Sequence, residues 1–195
     1  MTTLTLIKSA TLKALLRFAA VKDSRYYLVG VHIEPEGYAV ATNGHILLAA
    51  RIPAFEGAAS FIIPSAACKL ALQLKVSELA ITLKEQHAIG GIPFIPIDGR
   101  YPEWRRIVPT ELPSGKPGHY SPKYLQTVVD AFRDMGMAKS IEGIEPMMNG
   151  ADSAALAVCE NIPDAIAVLM PYRTSGLLPG DAVKHVKAFL AKPAG

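Results

Sequence analysis

Arg25, Tyr26 and Tyr27 stand in a row in Arg25-Tyr26-Tyr27-Leu28-Val29-Gly30, and Ala41-Thr42-Asn43-Gly44-His45-Ile46-Leu47 follows a short way along the chain. An arginine and two adjacent rings, just past a helix, suit contact with a phosphate backbone or a base face. Exposing two large rings side by side otherwise has little to recommend it. Strand alternation offers the competing account, with one ring in the core and the other shielding an edge. Other chemistries find less support. His32, His45 and His87 are scattered, with no H-x-x-x-H or paired-carboxylate spacing, so no metal is expected. Gly90-Gly91 is a lone turn and Gly143 and Gly150 are isolated, which gives no phosphate loop. Cys68 and Cys159 lie in apolar contexts and indicate neither a disulfide framework nor a metal site. A Ser-His-Asp set could be drawn from any chain this long and carries no weight. The expectation is a protein that is not an enzyme, without catalytic residues or cofactor.

The elements that would position these residues repeat. Residues 2–8 alternate like a strand, Thr11 is placed to cap a helix over Leu12–Val21, and Leu12, Leu15, Leu16 and Ala19 form its apolar stripe. Strand-like runs follow at Tyr27–Ile33, Tyr38–Thr42 and His45–Ile52, separated by Glu34-Pro35-Glu36-Gly37 and by the hairpin signal Asn43-Gly44. The pattern restarts with strand Phe61–Ile63 and a helix Pro64–Lys75 striped by Ala67, Leu70, Ala71 and Leu74, then short strands at Leu79–Leu83, His87–Ile89 and Phe94–Ile97. A third round begins near His119-Tyr120, with Pro122 opening a helix striped by Tyr124, Leu125, Val128 and Phe132 and strands near Pro146–Met148, Ala154–Cys159 and Ile166–Met170. Strand, helix and three strands thus recur three times, at a period of about 55 residues. Leu112-Pro113-Ser114-Gly115-Lys116-Pro117-Gly118, rich in breakers, is the expected linker.

Half of the 195 residues are hydrophobic and 19% are charged, a globular balance with room for one large or two small domains. Apolar runs such as Ile46–Ala50 are too short to cross a bilayer, and the N-terminal residues do not read as a signal peptide, so a cytoplasmic protein with no membrane contact is expected. The net charge of +3 is small, but its placement is uneven. The first helix carries Lys13, Arg17 and Lys22 and no acid, and the second carries Lys69 and Lys75 and no acid. Helices of one sign over a sheet are an electrostatic footprint for phosphate, although a solvated helix face gives the same pattern. The third helix has Lys123 and Arg133 but also Asp130 and Asp134, which weakens its case.

In this order and spacing the chain resembles the bacterial DNA polymerase III sliding clamp, the ring-shaped beta subunit. Arg25–Gly30, Val40–His45, Phe61–Pro64 and Gly99–Pro109 look like successive stretches of that clamp's middle domain. Tyr120–Leu125 resembles the helix start in the second half of its last domain, and Val168–Arg173 resembles its C-terminus. The resemblance implies an α+β sliding-clamp fold of about one and a half clamp domains. Residues 1–112 would be a whole domain, 116–173 a half domain, and 174–195 an extension beyond the family's usual end. The family usually has Asp where this chain has Asn43, and Arg where it has Ile46.

The same resemblance implies a processivity factor that binds double-stranded DNA without sequence specificity and tethers proteins through a hydrophobic peptide cleft. DNA contact carries over to Arg25, Tyr26 and Tyr27, and Lys13, Arg17 and Lys69 are helix-face candidates by charge. The cleft carries over to Leu28, Thr42, Gly44, His45, Ile46, Leu47 and Pro109, and to Tyr124, Val168, Leu169, Met170, Pro171, Tyr172 and Arg173. Ile46 makes the wall more apolar than an arginine would. The implied partners are a DNA polymerase or other proteins carrying clamp-binding peptides, with a clamp loader as a further candidate. The alternative is an adaptor or decoy that occupies such peptides without encircling DNA. A half domain leaves an edge uncovered, so a homo-oligomer is expected, a dimer or the tetramer that would close a ring of twelve units. Asp181–Lys192 reads as a helix, and Leu177-Leu178 in the preceding linker has the apolar character of a cleft-binding peptide.

Overall fold

β1 (Leu4–Lys8) runs without a break into α1 (Ser9–Phe18), because the Ser9 amide is captured by the Ser77 carbonyl at 2.9 Å and turns the chain into the helix there. The computed structural model describes residues 4–82, 87–110, 118–139, 146, 147, 150–172 and 184. Thr11 therefore lies inside the first turn and is not the cap. The helix also stops before Val21: Ala19 is extended and the Ala20 amide donates to the Leu28 carbonyl, which draws the chain away. Tyr26–Leu28 forms a single 3-10 turn, so β2 (Gly30–Glu34) starts later than the alternation predicts. Gly30 is required at that start, since a Cβ would lie 2.5 Å from the Ile63 carbonyl oxygen of the neighbouring strand.

β3 (Glu36–Thr42) and β4 (Ile46–Glu56) make the predicted hairpin, with β4 running four residues past Ile52. β5 (Phe61–Pro64) leads into α2 (Ser65–Leu72), so Pro64 is the last strand residue and not the first helical one. Within α2 the buried face is Ala67, Cys68 and Ala71, while Leu70, expected in the stripe, is about half exposed (49%). The helix ends at Leu72 and not at Lys75, so Leu74, also expected in the stripe, lies beyond it and is about half exposed (47%). β6 (Glu78–Thr82), β7 (Ala88–Ile89) and β8 (Ile92–Pro93) follow. Phe94–Ile97 is not a strand: Pro96 removes a donor, and Ile97 instead donates to Ile62 of β5. In the third round, α3 (Pro122–Asp134) begins at Pro122 as predicted, and β9 (Ala155–Val158) and β10 (Ala165–Leu169) follow, with Met147 bridging Leu156.

The first two units exchange strands. β1 pairs with β6, and β5 pairs with β2, giving a four-stranded sheet ordered β1-β6-β7-β8 and a six-stranded sheet ordered β5-β2-β3-β4-β10-β9. The seam of the larger sheet is β4 with β10, antiparallel, with Leu47 opposite Val168 and Ile46 opposite Leu169. Alternation then sorts its side chains onto two faces. Val31, Ile33, Ala41, Leu48, Ala167 and Leu169 join the core under the helices, with Leu15 and Phe18 of α1 and Val128 and Phe132 of α3. Val40, Leu47, Ile62 and Val168 face the other way, where they are covered by Tyr101 and Trp104. The segment 97–108 is thus a cover for the outer face, ending in a 3-10 turn at Trp104–Ile107. No helix among the described residues is long and apolar enough to cross a membrane.

Candidate functional site

The hairpin at Asn43-Gly44 is built by side chains. The Asn43 Oδ1 accepts from the amides of His45 (2.9 Å) and Ile46 (3.1 Å), and the Thr42 hydroxyl donates to the Ile46 carbonyl at 2.8 Å while accepting from the Gly44 amide. Asn43 therefore supplies the acceptor that an aspartate would supply. Gly44 sits at φ +89°, and a Cβ there would lie 2.9 Å from both terminal nitrogens of Arg25. The arginine is held in place by Asp23, with Nε–Oδ1 at 3.0 Å and Nη2–Oδ2 at 2.7 Å, and Nη2 also donates to the Asn43 carbonyl at 3.3 Å. These hydrogen bonds lower the Asp23 carboxyl to about 2. Arg25 is thus a brace on the hairpin, while its side chain remains half exposed.

Beside this brace, at the β4–β10 seam on the outer face, lies a cavity of about 170 Å³. Leu28, Leu47, Val168 and Met170 line it from the sheet side, and Pro102, Trp104 and Ile107 from the cover segment. Thr42, Gly44, His45, Ile46, Arg25 and Glu103 complete its wall. Met170 is tied to the hairpin by its amide, which donates to the His45 carbonyl at 2.9 Å. The volume falls below the roughly 300–1,000 Å³ of small-molecule pockets and suits one or two apolar side chains of a peptide.

A buried carboxylate holds the cover segment. Glu34 Oε1 accepts from the Trp104 indole and Oε2 from the Arg105 guanidinium, each at 2.8 Å. Arg105 lies over the Trp104 ring at 4.4 Å and near the Tyr38 ring at 5.2 Å. His32 stacks on Tyr101 with centroids 4.4 Å apart, and its Nε2 is 2.9 Å from the Ser60 hydroxyl. Burial lowers the His32 pKa, outweighing the pull of Glu34. Nε2 shares its hydrogen bond with Ser60, while the buried Nδ1 lies 3.6 Å from a Glu34 oxygen, beyond hydrogen-bond distance. Burial likewise pushes the Cys68 thiol up to about 12, which makes it inert packing.

Of the expected cleft residues, Leu28, Thr42, Gly44, His45, Leu47, Val168 and Met170 converge on this cavity. Ile46 borders it but is buried in the helix-side core opposite Leu169, so it does not make the wall more apolar as expected. Leu169 does not. It alternates to the helix side and is fully buried in the core there. Tyr124 reaches the rim indirectly, stacked on the exposed His45 ring at 5.6 Å. Pro109, Pro171 and Tyr172 do not line the cavity; Tyr172 instead bridges His119. Arg173 lies outside the described residues, as do 174–195 apart from Lys184 and the linker positions 111–117. Arg25, Pro102, Glu103, Trp104 and Ile107 line the cavity without having been expected there. A tryptophan and a tyrosine in a segment with no helical or strand period must bury their rings on something, and that was the available signal for the cover.

The expected DNA face is more neutral than the composition of α1 indicates. Lys13 reaches Asp134 at 2.8 Å, and Arg17 reaches Asp134 at 2.6 Å and Asp130 at 3.4 Å. Burial opposes ionisation of Asp134, yet the hydrogen bonds from Arg17 and Lys13 hold its carboxyl below the usual range, and the Asp134 bond in turn raises Arg17. Lys69 is exposed and makes no ion pair among the described residues. Tyr26 is 57% exposed, but Tyr27 is only partly so: it meets Tyr26 edge-on at 5.8 Å and packs toward the outer-face core.

The whole arrangement is similar to solved bacterial sliding clamps. A Caulobacter crescentus beta sliding clamp superposes with a TM-score of 0.69 at 20% identity over 88% of this chain and 65% of that one. The DNA polymerase sliding clamp of Pseudomonas aeruginosa gives 0.67 at 17% over 89% and 67%, and that of Bacillus subtilis 0.63 at 16% over 88% and 64%. The chain has the sliding-clamp fold, and spans about two thirds of the length of those clamps. No protein-family model and no curated protein matches the sequence.

Proposed function

We propose that the protein is a non-catalytic clamp-like tether, which binds a short apolar peptide at the β4–β10 seam and holds double-stranded DNA weakly and without sequence preference. The carrying observation is the cavity itself: an apolar slot on the outer face, walled by Trp104 and rimmed by Arg25 and His45, separate from the helix face. One or two peptide side chains in the slot contribute about 1.5–3 kcal/mol each, and with further peptide contacts along the rim the affinity after ordering costs falls in the micromolar range. The partners are then polymerases or repair proteins carrying such a peptide, in the cytoplasm, with a loader if the protein encircles DNA. Residues 1–112 act as one clamp domain and 116–173 as half of another. Trp104 is the single tryptophan, so its emission reports the cleft directly. Titration with a clamp-binding peptide should shift that emission with micromolar saturation, and Ile107→Ala should weaken it several-fold. Saturation without any response to Ile107 substitution would place binding elsewhere.

A second reading is favoured by the ion pairs of α1 with α3. Because Asp130 and Asp134 consume the charge of Lys13 and Arg17, α1 itself offers phosphate little, and the exposed Lys69, Lys123 and Arg133 on the other helices remain beside the Arg25 turn. That is the behaviour of an adaptor or decoy that occupies clamp-binding peptides without encircling DNA. Retention on nicked circles at low salt separates the two, since only a tether should be retained and lose retention when Arg25, Tyr26 and Tyr27 are replaced by alanine.

A further inference from the structure

Unit 1 (β1, α1, β2–β4) and unit 2 (β5, α2, β6–β8) are joined by one repeated device. Each lends the strand before its helix to the edge of the other's first strand after the helix: β1 to β6, and β5 to β2. The register is the same both times. The residue just before the helix faces the first residue of the partner strand, Lys8 opposite Glu78 and Pro64 opposite Gly30. Unit 3, with α3, β9 and β10, joins unit 1 differently, through the matched last strands β4 and β10.

Read outward from that seam, the large sheet is symmetric: β3, β2 and β5 on one side, β9 and the Met147 bridge on the other. Among the described residues no strand occupies the position beyond Met147 that matches β5. Unit 3 also has an extended segment before its helix that, among the described residues, pairs with no other unit. Just before α3, His119 bridges Tyr172 at the end of its own unit's last strand, as Thr5 of β1 touches the Ala54 carbonyl near the end of β4. In units 1 and 2 this strand forms its ladder with the other unit. Met147 (40% exposed), Val158 (38%) and Tyr172 (50%) are left as large apolar groups on unit 3.

From this topology we infer that unit 3 docks against unit 3 of a second copy of this chain by the same reciprocal strand exchange, completing one clamp domain from two halves. A donor strand and an acceptor edge on one unit, related to their counterparts by an exchange that is reciprocal, make the surface self-complementary, which is the requirement for a two-fold dimer. The register carried over from the first two units sets Ser121 of one copy opposite the strand start at Pro146–Met147 of the other. This goes beyond the tether reading, and it leaves each proposed cleft within one chain.

The test is mass and cross-linking of the full chain. Sedimentation should give twice the 20.9 kDa chain mass. A Ser121→Cys/Met147→Cys double variant should form intermolecular disulfides under mild oxidation, because antiparallel partners lie within disulfide reach. Chains carrying Ser121→Cys alone should not cross-link to themselves, but should do so when mixed with Met147→Cys chains. Cys68 and Cys159 are buried and should not compete. A monomer at tens of micromolar, a bond confined to one chain, or a dimer that Ser121 and Met147 cannot link would each overturn the inference. Met147→Lys should yield a monomer that still shows the Trp104 response to peptide. A stable dimer with no such response would count against the cleft and leave the docking intact.

Discussion

Removing the Glu34 carboxylate should unfasten the cover segment from the sheet. Glu34 is 7% exposed and accepts two charge-assisted hydrogen bonds, from the Trp104 indole and the Arg105 guanidinium, both at 2.8 Å. Such bonds contribute about 1.5–3 kcal/mol each, and the orphaned indole N–H, on a residue 5% exposed, costs about 1–3 kcal/mol more. Arg105 is 45% exposed at its side chain, so water recovers most of its share. Glu34→Ala should therefore cost about 2.5–6 kcal/mol. Glu34→Gln keeps an oxygen for Trp104 and should cost about half as much. In urea, with a slope of about 2–3 kcal/mol/M, the alanine variant's midpoint should fall by about 1 M or more. Emission of the single tryptophan should shift to the red before global unfolding, and peptide affinity should fall with it. Midpoints within about 0.2 M of the parent protein for both variants, with unchanged emission, would refute the claim that this carboxylate holds the cleft wall.

Gly44→Ala should destabilise by about 1–2 kcal/mol, because φ is +89° and the new Cβ would push Arg25 away from Asp23; thermal unfolding reads the loss. Asp134→Asn should release Lys13 and Arg17, so retention on DNA at low salt should rise and the salt slope steepen by about 1–2 phosphate contacts. Burial depresses the His32 pKa below the usual 6.5, so the unfolded chain binds the extra proton first and stability should fall as pH drops below about 6.5. Chemical denaturation between pH 7.5 and 5.5 should show that decline, reduced in His32→Gln.

The three-fold recurrence of strand, helix and strands was legible because apolar spacing reports local structure. Leu12 and Leu15 mark a helix and Asn43-Gly44 a hairpin whatever surrounds them. Many of the residues that line the β4–β10 cavity were named too, through the resemblance carried by 25–30, 40–45 and 168–173. The errors lie where a partner distant in sequence decides. Ser77 moves the start of α1 to Ser9, and the β4–β10 register sends Leu169 to the helix core and Val168 to the cleft. α3 brings Asp130 and Asp134, more than a hundred residues away in sequence, onto Lys13 and Arg17, offsetting the charge of α1. Trp104 and Arg105 became the cleft wall and its brace only because Glu34, on a strand 70 residues earlier, faces the same side of the sheet. Periodicity determines which residues want burial. Which other residues they meet there depends on strand register and helix docking, and that is where the charges cancel and the cleft closes.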